Sequence, residues 1–231
     1  MRRPALDDVL ASAARLQKVV PDAVLVGDAA AALYAGHRDS FDHDDVLTDL
    51  QDRYLDVLEA VEATEGWVTS VRASSPPLTL LGSLGGNEAG LRQLRRTRPL
   101  EVEQVDVGAD HLLTVPTTGE ILRVKAYLIV QRNQVRDYLD VAALVDRVGL
   151  EGAVSSLGRI DDYYADRSGG ADSVLTALVQ RLAEPNPRDT RTITQLTSYK
   201  NLDSRWHQWG EVTRACGDLA DQILVRVQEE S

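Results

Sequence analysis

Asp42 and Asp44 stand one residue apart in a short segment, Asp42 to Leu47, whose alternation reads as a strand. In a strand, alternate side chains share a face. That places the two carboxylates on one side with Cα atoms about 7 Å apart. Two hard oxygen donors held this way suit one shared divalent cation such as Mg²⁺ or Mn²⁺. Upstream, an apolar run from Ala23 to Val26 reads as a buried strand, Gly27 closes it, and a small-residue helix follows from Ala29 to Tyr34, ended by Gly36. A glycine turn feeding a helix N-terminus is a place where backbone N–H groups can hold phosphate. Between the helix and the second strand lies a polar cluster of His37, Arg38, Ser40, Asp42, Asp44 and Asp45.

The rest of the chain must position these groups. Its 231 residues suffice for one large domain or two small ones, and 43% hydrophobic residues suffice for a core. No run has the length of a membrane span. The start, MRRPALDDVL, lacks the apolar centre of a signal peptide, so a cytoplasmic location is expected. A single cysteine, Cys216, excludes an internal disulfide framework and a zinc–cysteine cluster. The net charge of −11 opposes nonspecific binding to nucleic acid, so an RNA partner would need a local basic patch.

Taken in order, Leu6 to Val20 carries Leu6, Val9, Leu10, Ala13 and Leu16 at helical spacing. Gln51 to Thr64 reads as a second amphipathic helix. Trp67 to Ala73 and Leu78 to Leu81 read as strands around the turn Ser74-Ser75-Pro76-Pro77. Gly82 to Gly90, with four glycines, reads as a flexible loop. Leu91 to Arg98 concentrates four arginines and reads as a solvated helix face, with an RNA contact as the lesser alternative. Leu100 to Val107 alternates as a strand ending near Asp106. The second half reads as helical: about Thr118 to Val130, Val135 to Val148, Val174 to Leu182 and Trp209 to Gln228, with Asp161 to Asp172 as a loop. The expected class is α/β (α+β), a mixed sheet with flanking helices followed by a helical C-terminal domain. The expected division is 1–115 and 116–231, the second part completing the active site.

Aspartate is abundant here, so D-x-D by itself is weak. The order of elements is more specific: strand, glycine turn, short helix, then Gly36-His37-Arg38-x-Ser40-x-Asp42-x-Asp44, a later helix carrying Lys125, then Arg132, and a helix carrying Arg136, Asp137 and Asp140. With these residues, roughly Ala23 to Val148 resembles the AbiEii/MenT-type nucleotidyltransferases of bacterial toxin–antitoxin systems, within the DNA polymerase β-like nucleotidyltransferase superfamily. The resemblance implies metal-dependent transfer of a nucleotide from an NTP to an RNA acceptor, a tRNA 3′ end in MenT-type members, by a toxin with a cognate antitoxin protein as partner.

Carried onto this sequence, the resemblance makes Asp42, Asp44, Lys125 and Asp140 the catalytic candidates. Asp42, Asp44 and, on the later strand, Asp106 are the candidate ligands of Mg²⁺ or Mn²⁺. Gly27, Ser40, Lys125 and Arg136 are the candidate nucleotide contacts, Lys125 as a point charge toward the triphosphate. Lys125 is one of three lysines in the chain, on an otherwise apolar helix face. The sequence departs from the family at Gly27-Asp28, where Gly-Gly or Gly-Ser is usual, and at His43, where an apolar residue is common. Other readings stay open. Asp28 can be a helix N-cap; Arg136 and Asp140, four apart on a helix, can be a surface ion pair; and the aspartate pair can be a solvated strand edge. The alternative functions are a degenerate nucleotidyltransferase fold that binds without turnover, or transfer to a protein or small molecule.

Overall fold

A computed structural model describes residues 4–108, 111–167 and 173–229. The chain divides into two compact units. One comprises the residues up to Leu33 together with Asp39–Thr117; the other comprises Tyr34–Arg38 together with the residues from Thr118 onward.

The first unit is built on a mixed sheet. Its elements are α1 (Pro4–Val19), β1 (Val24–Val26), the start of α2 (Gly27–Ala35), β2 (Asp42–Leu47), α3 (Tyr54–Glu62), β3 (Trp67–Thr69), β4 (Thr79–Leu84), β5 (Asn87–Gln93), β6 (Val102–Asp106) and β7 (Leu112–Pro116). The sheet order is β1-β2-β5-β4-β3. β2 and β5 run parallel and every other neighbouring pair is antiparallel. β6 and β7 form a separate antiparallel pair. The helical spacing in α1 buries Leu6, Val9, Leu10, Ala13 and Leu16. Leu16 joins Leu47, Leu50, Tyr54, Val57, Val61, Leu80, Leu84 and Leu91 in one apolar cluster, so α1, α3 and the strands share a core.

Two segments differ from the sequence reading. Gly82 to Gly90 is not a flexible loop: it forms most of the β4–β5 hairpin, with Gly85 and Gly86 as a two-residue turn at φ +61° and +90°. Positive φ at both turn positions is what a tight hairpin with the sheet's right-handed twist demands, and glycine supplies it without steric cost. The arginine-rich run is not a helix face either. Arg92 belongs to β5, and Arg96, buried, donates through Nε to the Arg98 carbonyl and through Nη2 to that of Pro99.

The second unit contains α4 (Thr118–Gln131), α5 (Val135–Val148), α6 (Leu150–Leu157), α7 (Ile160–Tyr164), α8 (Val174–Ala183), two 3₁₀ segments (Thr190–Ser198 and Ser204–Trp206) and α9 (Trp209–Glu229). Tyr163 and Tyr164, expected in a loop, sit in or at the end of α7 and are buried; Gly169 and Gly170 of that expected loop lie outside the described residues. Tyr138 meets Trp209 edge to face at 5.9 Å, and Tyr127 stacks on Tyr164 at 3.9 Å. Burial pushes the Cys216 thiol up to about 12, which leaves it a small packing residue of α9. No helix among the described residues is long and apolar enough to cross a membrane.

Candidate active site

Along β2, Asp42, Asp44 and Val46 face one way and are half-buried, while His43, Asp45 and Leu47 face the core. Asp42 and Asp44 thus share a face, and both line a cleft of about 450 Å³. The core face explains why β2 cannot slip. His43 Nδ1 lies 2.9 Å from Asp45 Oδ2, so the ring donates there, and its Nε2 lies 3.2 Å from the Ser12 hydroxyl. Gln17 donates to Asp45 and bridges to the backbone of Thr114 through both ends of its amide. A one-residue slip would carry this buried network to the cleft and the two aspartates into the core. The polar residue at His43 is therefore a partner for Asp45, supplied by α1 and β2 together.

The backbone crowds Asp44 on two sides. A Cβ placed on Gly90, its partner across β2–β5, would lie 2.5 Å from Asp44 Oδ1, so no side chain fits there without moving the carboxylate. Gly27, at φ +73°, would bring a Cβ to 3.7 Å from Asp44 Oδ2. The two glycines leave a cradle around one carboxylate. Into it Arg92 donates from Nε to Asp44 Oδ1 at 2.9 Å, a guanidinium standing where a cation is welcome. Two oxygen donors beside open space fit Mg²⁺ or Mn²⁺, which keep several waters and bind through one or two carboxylates plus substrate phosphates. Asp42 and Asp44 are the residues that would hold the ion. Among the described residues no group of three or more His, Cys, Asp or Glu side chains is gathered for a metal.

Other expected site residues lie elsewhere. Asp106 is exposed on β6, in the two-stranded sheet, and accepts from the Gly108 N–H; it is not among the residues lining the cleft. The acidic residue that does line it is Glu88, opposite Asp42 in the parallel β2–β5 register. Glu88, Gly90 and Arg92 alternate along β5 on the face of the aspartates, a signal hidden by reading the glycine-rich stretch as a loop. Ser40 is buried, and its hydroxyl donates to the Asp42 carbonyl at 3.2 Å, shaping the approach to β2. Asp28 lies within the first turn of α2, which begins at Gly27.

In the helical unit, Lys125 and Asp140 are brought together with the Gly36-His37-Arg38 motif. Asp140, fully buried, takes Lys125 Nζ at 2.6 Å, Arg38 Nε and Nη2 at 2.9 Å each, and His37 Nε2 at 2.8 Å. Lys125 is itself 0% exposed, with its charge met by Asp140. Arg136 does not pair with Asp140; it donates to Gln134, while Arg132 grips the buried Asp137 with two bonds of 2.8 and 2.6 Å.

The imidazole of His37 titrates unusually. Burial lowers its pKa from the ordinary 6.5, outweighing the hydrogen bond to Asp140. Nε2 carries the proton given to Asp140, and the buried Nδ1 has no hydrogen-bond partner among the described residues. Protonation would add a donor without an acceptor beside Arg38 and Lys125. With the folded value below the unfolded one, the unfolded chain binds the proton more tightly. The stability is complete above about pH 6.5 and is lost as pH falls toward the lowered folded value. The thermal midpoint of the wild type should fall between pH 7.5 and 5.5, and His37→Gln, which keeps a donor for Asp140, should flatten that slope. An unchanged slope in the variant removes His37 as the cause.

No family model matches the chain. Among solved structures it is similar over 100% of its length to an H. pylori protein described as a "putative nucleotidyltransferase", with 99% of that chain covered, a TM-score of 0.56 and 15% identity. The fold is nucleotidyltransferase-like. JHP933 from Helicobacter pylori gives a TM-score of 0.55 at 16% identity, covering 100% of this chain and 96% of that one. By sequence, the "Heme uptake protein MmpL11" of Mycobacterium tuberculosis is 32% identical over 228 residues, covering 94% of this chain and 22% of that protein. The "Mycolic acid-containing lipids exporter MmpL11" of Mycolicibacterium smegmatis is 37% identical over 131 residues, covering 57% of this chain and 13% of that protein. The chain thus spans about a fifth, or less, of the length of these curated relatives.

Proposed function

We propose that this nucleotidyltransferase-like chain is a metal-dependent nucleotidyltransferase that moves a nucleotide from an NTP to an RNA acceptor, a tRNA 3′ end, as the toxin of a toxin–antitoxin pair in the cytoplasm. The observation that carries the reading is the placement of Asp42 and Asp44 on one face of β2, over a cleft, with glycine backbone on two sides of Asp44. A bound Mg²⁺ or Mn²⁺ would supply charge neutralisation for the triphosphate and alignment of the attacking hydroxyl. The chain's own part is to fix two carboxylates in register, through the buried His43–Asp45 network, and to keep the cleft open. Lys125 and Asp140 serve this reading by holding the helical unit and the His37-Arg38 segment rigid.

The test is incubation of the protein with each α-³²P-labelled NTP, Mg²⁺ and total RNA. A label on tRNA, absent with Asp44→Asn, supports the reading. Label on protein or on a small molecule redirects the acceptor. No transfer with any NTP overturns it.

A second reading is a nucleotidyltransferase fold that binds nucleotide without turnover. Arg92 on Asp44 favours it, as does the sequence likeness to MmpL11 proteins, which are named for transport. NTP binding without transfer is its signature.

A further inference from the structure

Among the described residues lining the cleft is an arginine, Arg92, to which the sequence motif gives no role. Arg92 lies on β5 opposite Val46, two residues beyond Gly90, and reaches back along the shared face to Asp44. Asp42, Asp44 and Glu88 also line the cleft, and Arg92 is the sole arginine or lysine among the described lining residues. Its contact with Asp44 is made through Nε; Nη1 and Nη2 make no hydrogen bond among the described residues. The two side chains are 43% and 32% exposed, so the pair is hydrated and weakly held. A planar guanidinium with two free terminal nitrogens is built for phosphate oxygens.

We propose that Arg92 is an exchangeable cation of this site: it neutralises Asp44 while no metal is bound, yields that carboxylate to the metal, and then binds a phosphate group of the incoming NTP. The inference rests on the nucleotidyltransferase reading. It follows from competition for a single carboxylate. Arg92 Nε holds Asp44 Oδ1, so an ion bound through that oxygen would displace it, and the displaced group is the sole arginine or lysine among the described lining residues. The pair also lessens the mutual repulsion of Asp42 and Asp44 before any ion arrives.

This reading predicts effects of opposite sign, which a structural role would not produce. Mn²⁺ binding is measured without nucleotide, by the loss of the free-ion electron paramagnetic resonance signal, for the wild type, Arg92→Gln, Arg92→Lys and Asp44→Asn. Binding of the α,β-methylene analogue of each NTP is then measured by calorimetry in saturating Mn²⁺. Arg92→Gln should bind Mn²⁺ about 1.4- to fivefold more tightly, as expected for removing one exposed competitor, and the nucleotide analogue about tenfold more weakly. Arg92→Lys should fall between, because an ammonium neutralises but does not fork. If Arg92→Gln weakens Mn²⁺ binding or leaves it unchanged, or leaves analogue affinity unchanged, the exchange is overturned while the metal site stands, provided Asp44→Asn has lost Mn²⁺. If Asp44→Asn binds Mn²⁺ as well as the wild type, the metal site itself falls, and the exchange with it.

Discussion

Asp140→Ala should lower the thermal midpoint by roughly 6–20 °C, or prevent accumulation of folded protein. The estimate combines about 3–5 kcal/mol for breaking a buried ion pair with about 2–4 °C per kcal/mol for a chain of this size. Asp140 is the shared acceptor of Lys125, Arg38 and His37, and all four side chains are buried. Its removal takes the shared counter-ion from two buried cations. The damage comes from the charges left behind more than from the bonds lost, so reducing those charges should repair part of it. Lys125→Met in the Asp140→Ala background should recover some of the lost midpoint, although Lys125→Met alone destabilises. Circular dichroism melts of the four proteins read the coupling directly. A midpoint for Asp140→Ala within about 2 °C of the wild type, below the cost of breaking a buried pair, sinks this account.

Asp44→Asn should abolish nucleotide transfer, by roughly 10³-fold or more, while leaving the fold intact, since one carboxylate of the proposed metal site is neutralised. The fold should survive because Asp44 is on the half-exposed face of β2, and the buried face keeps His43, Asp45 and Leu47. An asparagine also fits the cradle between Gly27 and Gly90, being the same size. Asp42→Asn should act in the same direction. Single-turnover transfer rates with a melt of each variant separate chemistry from stability. Retained transfer in folded Asp44→Asn would remove the aspartate pair from the reaction.

The face shared by Asp42 and Asp44 was legible because alternation in a strand depends only on backbone geometry. The long helices α4 and α5 were legible for the same kind of reason. The hairpin of β4 and β5 was not. Its glycines serve two different ends: Gly85 and Gly86 make the turn, while Gly90 makes room for a carboxylate 46 positions earlier in the chain. Local composition cannot distinguish a mobile glycine from one required by a distant neighbour. The burial of Lys125 was equally hidden. An isolated lysine on an apolar face is as compatible with a ligand contact as with a buried ion pair, and only the position of Asp140 separates the two. Glu88 and Arg92 were missed because their alternation with Gly90 reads as a strand only once β5 is seen beside β2.

Tyr34–Arg38 belongs to the helical unit although more than seventy residues of the other unit follow it before Thr118. Its bonds to Asp140 close a loop of 103 residues from His37. On a ribosome, the segment bearing His37 and Arg38 is made early, and the carboxylate of Asp140 that both of them hold arrives only when α5 emerges. The helical unit therefore cannot be completed in the order of synthesis, and a fragment begun at Thr118 would lack two of the groups that neutralise and hold Asp140. Closing so long a loop costs entropy that only late contacts return, so the last steps of folding should belong to this clasp, and the chain's two units should be hard to separate by truncation.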